Sequence, residues 1–267
     1  MGSDGPWKDR PVFDSVVEGM AGLWSQLMER NDPKPVGPPF ADQVAGLYAA
    51  IAVLSGLVRR SATGKGGRLE TTMFGSSLAF QFVATTDYLV NGRVADSLLR
   101  AHRSQSFAFV ASDGKPLTIH LSSPVKFWDA LLTALDRHDL ASDDRFREHK
   151  DRIERYDELR AELAYVFAQR TRDEWVRILE SHDVPTAPIN TIGEALEEPQ
   201  VNALGLLEQF GEGERALHLI GSPITNGDED TKARLPVPEL GEHNAEIFGA
   251  LGYDEATLGT LGERSTI

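Results

Sequence analysis

Asp42 is the one charged side chain between Lys34 and Arg59 in a chain of 267 residues. It stands in PPFADQVAGLYAA, residues 38–50, after two prolines and before a run of Ala, Gly, Leu, Tyr, Ile and Val. Two readings fit such a carboxylate. As a helix N-cap it would accept the backbone N–H of residue 44 or 45 and contribute about 1 kcal/mol. The same place also suits chemistry. Helix-terminal N–H groups and the macrodipole keep a carboxylate ionised against apolar surroundings, and an ionised, poorly solvated carboxylate can act as a nucleophile. The pattern alone leaves both readings open.

Other chemistries find little support. The chain has no cysteine, which excludes disulfides, thiolate zinc sites and a cysteine nucleophile. Its seven histidines are scattered, with no pair at the helical spacing of metal ligands, so no metal site is expected. TGKGG at 63–67 lacks the full phosphate-loop pattern, because Lys65 is followed by glycine rather than a hydroxyl, and reads as a turn. FGSSLA lacks the second glycine of a nucleophile elbow. A net charge of −14 argues against nucleic acid and anionic membrane surfaces, though not against a phosphate-bearing ligand held at a local site. Arg59 and Arg60 close the longest apolar run short of a membrane span, and no basic-then-apolar signal opens the chain. No membrane span is expected, and the expected location is the cytoplasm.

The elements that must position Asp42 follow from periodicity. Val12, Phe13, Val16, Val17, Met20, Leu23, Trp24 and Leu27 are close to helical spacing. After the break NDPKPVGPP, the segment from Gln43 to Arg60 is apolar nearly all round and reads as a buried helix, with Ala45, Gly46, Ala49, Ala50, Ala52, Ser55 and Gly56 permitting close backbone approach. RLETTM reads as a short strand, and an apolar helix over about 75–90 ends at Asn91-Gly92. Phe107 and Phe109 alternate before a Ser-Asp-Gly turn, and Leu117, Ile119 and Leu121 alternate after it, which predicts a hairpin. Ser123-Pro124 predicts a helix start, with the helix running through Leu135. Thr171 with Glu174, and Thr191 with Glu194, match capping boxes. Charges of alternating sign over Ile153, Tyr156, Leu159, Leu163, Val166 and Phe167 predict a solvated helical layer. VPTAPI reads as an extended connection, LHLIGSPI as a strand, and GEH at 241–243 as a helix start with Glu242 in its first turn.

Several of these stretches resemble the class III CoA-transferase family, which includes formyl-CoA transferase, carnitine CoA-transferase and the alpha-methylacyl-CoA racemases. They are GPWKDRPVFDSVVEGMAGL, FADQVAGLYAAIAVLSGLVRRSATGKGGRLETTM, DGKPLTIHLSSPVKFWDALLTAL, DDRFREHKDRIERYDELRAEL, VPTAPINTIGEALEEPQVNALGLL, GSPI and ELGEHNAEIFGALGY, in order and nearly end to end. The resemblance implies that Asp42 is a nucleophile toward acyl-CoA, with an acceptor carboxylic acid as second substrate and no permanently bound cofactor. It makes Arg10, Pro11, Val12 and Phe13 part of a CoA-binding wall, and places Asp14 where formyl-CoA transferase has a supporting glutamate. Arg10 as a surface charge and Phe13 as core remain the alternatives. Racemase relatives carry a catalytic histidine where this chain has Phe13, so a CoA transfer is implied over isomerisation of a 2-methylacyl-CoA.

The chain also departs from that pattern. Family members carry a further N-terminal half with much of the CoA-binding surface, and a glycine-rich substrate-side loop is not apparent between Arg93 and Ser106. A fragment, a truncated product, a subunit completed by another chain, and a non-catalytic partner are the alternatives this raises. The expected fold is α/β: a Rossmann-like large domain, incomplete at its N-terminus, with a smaller α+β domain inserted. Residues 1–103 and 190–267 would form the former and 104–189 the latter. By resemblance the chain would assemble as an interlocked homodimer or pair with a chain supplying the missing half.

Overall fold

The computed structural model describes residues 1–122, 125–224 and 236–263. The fold is mixed α/β and divides into two compact units, Met1–Ile189 and Asn190–Ile267.

The first unit opens with α1 (Asp14–Met20), followed by a 3-10 turn at Trp24–Gln26. The helical periodicity of residues 12–28 is broken at Gly22, whose φ of +79° is left-handed and suits glycine. The long helix α2 (Phe40–Thr63) follows the proline-rich stretch and ends at Gly64 in the left-handed conformation, whose N–H bonds the Arg60 carbonyl. TGKGG is therefore the C-terminal stop of α2, as its glycines suggest. RLETTM, expected as a strand, pairs with no other strand among the described residues; a single extended segment has no ladder to complete.

The apolar stretch beyond it splits into α3 (Met73–Phe80) and α4 (Phe82–Asn91), which ends at Gly92 in the left-handed conformation. The split falls at Gln81, whose buried amide donates to the carbonyls of Ser77 and Ala21. A side chain that bonds into its own helix's carbonyl ladder bends or breaks the helix. α5 (Leu99–Ser104) then leads to the hairpin of β1 (Ser106–Val110) and β2 (Pro116–His120). The register pairs Phe107 with Ile119 and Phe109 with Leu117, as the alternation predicts.

α6 (Lys126–Leu135) runs to the expected residue, while the Ser123-Pro124 start lies outside the described residues. It is followed by α7 (Asp139–Ser142), α8 (His149–Glu154), α9 (Tyr156–Phe167), α10 (Arg172–Ser181) and β3 (Thr186–Pro188). β3 lies antiparallel to β2, so the VPTAPI connection supplies the third strand of a sheet ordered β1-β2-β3. The principal core sits here. The hairpin's Phe107, Phe109, Leu117 and Ile119 pack with Trp128 and Leu131 of α6, Leu159, Leu163 and Phe167 of α9, and Trp175 and Leu179 of α10. Each such fully buried side chain contributes about 1.5–3 kcal/mol.

The second unit contains α11 (Ile192–Glu197), α12 (Pro199–Ala203), the antiparallel pair β4 (Leu207–Phe210) and β5 (Leu217–Ile220), α13 (Asn244–Ala250) and α14 (Glu255–Glu263). Both capping boxes form: Thr171 and Thr191 each accept the N–H of the glutamate three residues on, and that glutamate bonds back. Glu242 is not in a helical first turn, because α13 begins two residues later. Its carboxylate instead takes both Arg215 Nη1 (2.8 Å) and Nη2 (2.9 Å), together with the Glu239 N–H (2.7 Å).

Candidate active site

The start of α2 is built by two prolines and two carboxylates from another helix. Pro39 is its N-cap, with φ −70° and ψ 73°, and Gln43 N–H makes the first helical bond back to the Pro39 carbonyl at 3.2 Å. The helix therefore begins ahead of Asp42, which occupies its first turn and is not the cap. The diproline sets the entry, since its rings fix φ and lack the N–H groups a helix start would leave orphaned. Gly37 completes the entry at φ +83°, where a Cβ would come within 2.9 Å of the Phe40 ring.

Three backbone donors at this end, Phe40, Ala41 and Asp42, lack helical partners, and Phe40 N–H is shared between the Pro38 carbonyl at 2.7 Å and an acceptor from outside. α1 supplies the outside acceptors. Glu18 Oε1 accepts from Phe40 N–H at 2.7 Å and from Ala41 N–H at 3.3 Å, and Asp14 Oδ1 accepts from Asp42 N–H at 3.0 Å. Residues 14 and 18 are one helical turn apart on one face of α1, so a single helix presents both carboxylates to the end of another. Glu18 is 1% exposed, and its second oxygen accepts from Trp24 Nε1 at 2.6 Å. Phe40 also stacks on Phe80 of α3, with ring centroids 6.4 Å apart.

Asp42 itself is exposed, and among the described residues its carboxylate accepts no hydrogen bond and pairs with no cation. The expected capping role thus falls to Glu18 and Asp14, and Asp42 carries an unengaged carboxylate at a helix's positive end. The apolar burial expected around it is not present. Within α2 only Ala41 and Val44 are buried, while Leu47 (66%), Ile51 (57%), Leu54 (62%) and Val58 (71%) face outward.

Of the other expected site residues, the structure joins Asp14 to the Asp42 backbone but brings no part of Arg10 into hydrogen-bond or ion-pair contact with Asp42. Arg10 and Pro11 are exposed, Val12 is half-buried, and Phe13 is 80% exposed at the N-cap of α1. Phe13 is therefore not a core residue, although Trp7 of the same segment packs edge-on against Phe74. Glu18 went unremarked in the sequence. Its signal was a glutamate inside the apolar ladder of Val16, Val17 and Met20, four residues after another acid, a spacing of like charges that an isolated helix disfavours. Two cavities of about 590 and 600 Å³ lie beside α3 and α4; Arg100, Arg103 and His120 line the first and Tyr88 and Leu89 the second, and Asp42 lines neither. Among the described residues no three His, Asp or Glu side chains cluster as a metal site would require.

Comparison with known proteins decides the family. The model of CoA-transferase family III matches residues 1–244. This chain belongs to CoA-transferase family III. It is 24% identical over 270 residues to (R)-2-hydroxy-4-methylpentanoate CoA-transferase of Clostridioides difficile, covering 100% of this chain and 67% of that protein. It is 27% identical to acetyl-CoA:oxalate CoA-transferase of Acetobacter aceti, covering 96% of this chain and 65% of the relative. Among solved structures, Rv3272 of Mycobacterium tuberculosis superposes with a TM-score of 0.80 at 27% identity, over 92% of this chain and 65% of that one. A CAIB/BAIF family protein from Brucella suis does so at 0.79 and 29%, over 94% and 66%. The chain thus spans about two thirds, or less, of the length of these family III relatives.

Proposed function

We propose that this chain carries the nucleophile of an acyl-CoA:carboxylate CoA-transferase, and that Asp42 is that nucleophile. The observation that carries the reading is the free carboxylate of Asp42 on the first turn of α2, with the neighbouring amides already taken by Asp14 and Glu18. Family membership supplies the reaction class. Asp42 attacks the thioester carbonyl; the C–S bond breaks, leaving a mixed aspartyl anhydride and CoA thiolate. The thiolate attacks the aspartyl carbonyl of the anhydride, giving an aspartyl-CoA thioester and releasing the original acyl group as its carboxylate. An acceptor carboxylate attacks that thioester, and the expelled thiolate then opens the new mixed anhydride at the acceptor's carbonyl, regenerating Asp42. Splitting the exchange in this way replaces one difficult displacement by easier covalent steps. Asp14 holds the nucleophile's backbone, and residues 10–13 form one wall of the CoA site. Phe13 offers no acid or base for proton exchange at an alpha carbon.

Anhydride and thioester both hydrolyse, so the working site must exclude water. The uncovered apolar face of α2 supports a second part of the reading: in the working assembly further polypeptide covers it. The cover is either the third of the family fold that lies beyond the span matched here or a second copy of this chain, interlocked with it. The large part of the complete fold is then Rossmann-like, built here from residues 1–103 and 190–267, with residues 104–189 inserted, and the assembly works in the cytoplasm.

Incubation of the assembly with acyl-CoA and then hydroxylamine should convert Asp42 alone to a hydroxamate, read by peptide mass spectrometry. Asp42→Ala and Asp42→Asn should each abolish transfer while leaving the melting temperature nearly unchanged. Near-normal turnover by Asp42→Ala would show the assignment to be wrong.

A further inference from the structure

Glu18 is a buried carboxylate for which the chemistry above has no use. It is 1% exposed, yet three donors converge on it: the N–H groups of Phe40 and Ala41 and the indole of Trp24. Burying a carboxylate is costly unless its acceptor sites are filled, and here both oxygens are. The donors come from α2 and from the 3-10 turn, so the side chain fixes where the first turn of α2 lies relative to α1.

Its position matters for a second reason. Without Glu18 the Phe40 N–H would keep the Pro38 carbonyl at 2.7 Å, but the Ala41 amide would be left open, and the one charged side chain in that turn is Asp42. In a capping box the acid at the third helical position reaches back to the N–H of the cap residue; Pro39 has none, so the amide open to Asp42 would be that of Ala41. Turned that way, Asp42 would cap its own helix and withdraw from a substrate. We propose that Glu18 is a positioning residue for the nucleophile: by occupying the end of α2 it fixes the first turn and frees the Asp42 carboxylate from capping. The inference rests on the assignment of Asp42 as nucleophile.

The test uses Glu18→Ala, Glu18→Gln, Trp24→Phe and the double variant Glu18→Gln with Trp24→Phe. Glutamine keeps one carbonyl oxygen for the α2 amides but turns an NH₂ group toward the indole N–H. Replacing Trp24 by Phe removes that donor–donor clash. Formation of the Asp42 hydroxamate is followed well below each variant's melting temperature. Glu18→Ala should slow it about 10- to 100-fold, the loss expected for a charge-assisted hydrogen bond, with KM for acyl-CoA unchanged. The double variant should recover rate relative to Glu18→Gln alone, a comparison that still decides if Glu18→Ala does not fold. Amide hydrogen exchange supplies a readout independent of turnover: Ala41 should lose protection in the variants that lack the acceptor, while Phe40 keeps the Pro38 carbonyl and the Asp42 amide stays protected by Asp14. A wild-type labelling rate in Glu18→Ala, or no recovery in the double variant, overturns the positioning role and leaves Asp42 standing. Wild-type protein that labels at no aspartate overturns the nucleophile and this inference with it, and the exchange pattern then reports on Glu18 as a helix cap only.

Discussion

At the start of α2 three acids, Asp14, Glu18 and Asp42, stand beside the same few amides, and among the described residues only Asp42 is left without a donor. That division of labour is what a nucleophile at a helix end needs. Amides that engage a carboxylate stabilise it before the reaction and are lost as it becomes an ester-like carbonyl, so a fully capped carboxylate attacks poorly. Carboxylates elsewhere in the chain show the opposite arrangement. The Arg215 guanidinium, followed by the Glu239 N–H, pulls the Glu242 carboxyl down from 4.5 to about 2. The folded value lies below the unfolded one, so the pair's contribution is fully present above pH 4.5 and is lost as pH falls toward 2. Melting curves of wild type and Glu242→Gln should therefore differ near neutrality and converge in acid; a gap that stays constant down to pH 2 would mean the ion pair does not contribute.

Between elements, the residue to disturb is Arg152 on α8. It is 2% exposed, and its guanidinium donates to Gln105 Oε1 (3.1 Å) and to the carbonyls of Phe146 (2.8 Å) and Arg147 (2.9 Å), while lying 4.4 Å from the Trp128 ring centroid. It thereby ties the loop before α8 to the entry of β1 and to α6. Arg152→Met keeps much of the apolar stem but strands three acceptors, and should lower stability by about 2–4 kcal/mol, measured by urea unfolding. None of this was visible in the sequence, where Arg152 looked like one more charge on a solvated face. What the sequence did disclose was local. Both capping boxes, the Phe107/Phe109 hairpin and the glycine stop of α2 depend on residues a few positions apart, so spacing alone specifies them. Asp42 was legible as a helix-start acid, but its true cap was not, because Glu18 acts across 22 residues. The split at Gln81 was hidden for the same reason: the carbonyl of Ala21 that it reaches lies 60 residues away. RLETTM had strand propensity but finds no strand partner among the described residues, which no local pattern can reveal.

For the whole molecule, the ordinary composition of 41% hydrophobic residues predicts a well-filled core, yet the burial is uneven. Among the described residues the buried apolar side chains are concentrated between Phe107 and Val184, with only Val17, Ala21, Leu23, Ala41 and Val44 ahead of them. By length and composition alone α2 could cross a membrane; the covering proposed above would instead bury its outward face against protein. CoA brings about four negative charges to a chain with 27 basic and 41 acidic residues, burying phosphates requires donors, and the sequence has no phosphate-loop pattern to supply them. The chain alone should bind CoA weakly and self-associate. Adding the polypeptide that completes the family fold should restore binding and raise the melting temperature by mass action. Calorimetry decides it, and micromolar CoA affinity from a stable monomer would rule the reading out. The outward face of α2 also has a thermal consequence. A chain of 267 residues with ordinary burial unfolds with a heat-capacity increment of about 3–4 kcal/mol/K, and this one alone should fall short of it and show a flatter stability curve. Under the proposed covering of α2 the missing increment belongs to that apolar joint, and apolar joints loosen on cooling, so refrigeration should open the cover before it harms the core; a joint that tightens in the cold, by light scattering, would contradict the covering.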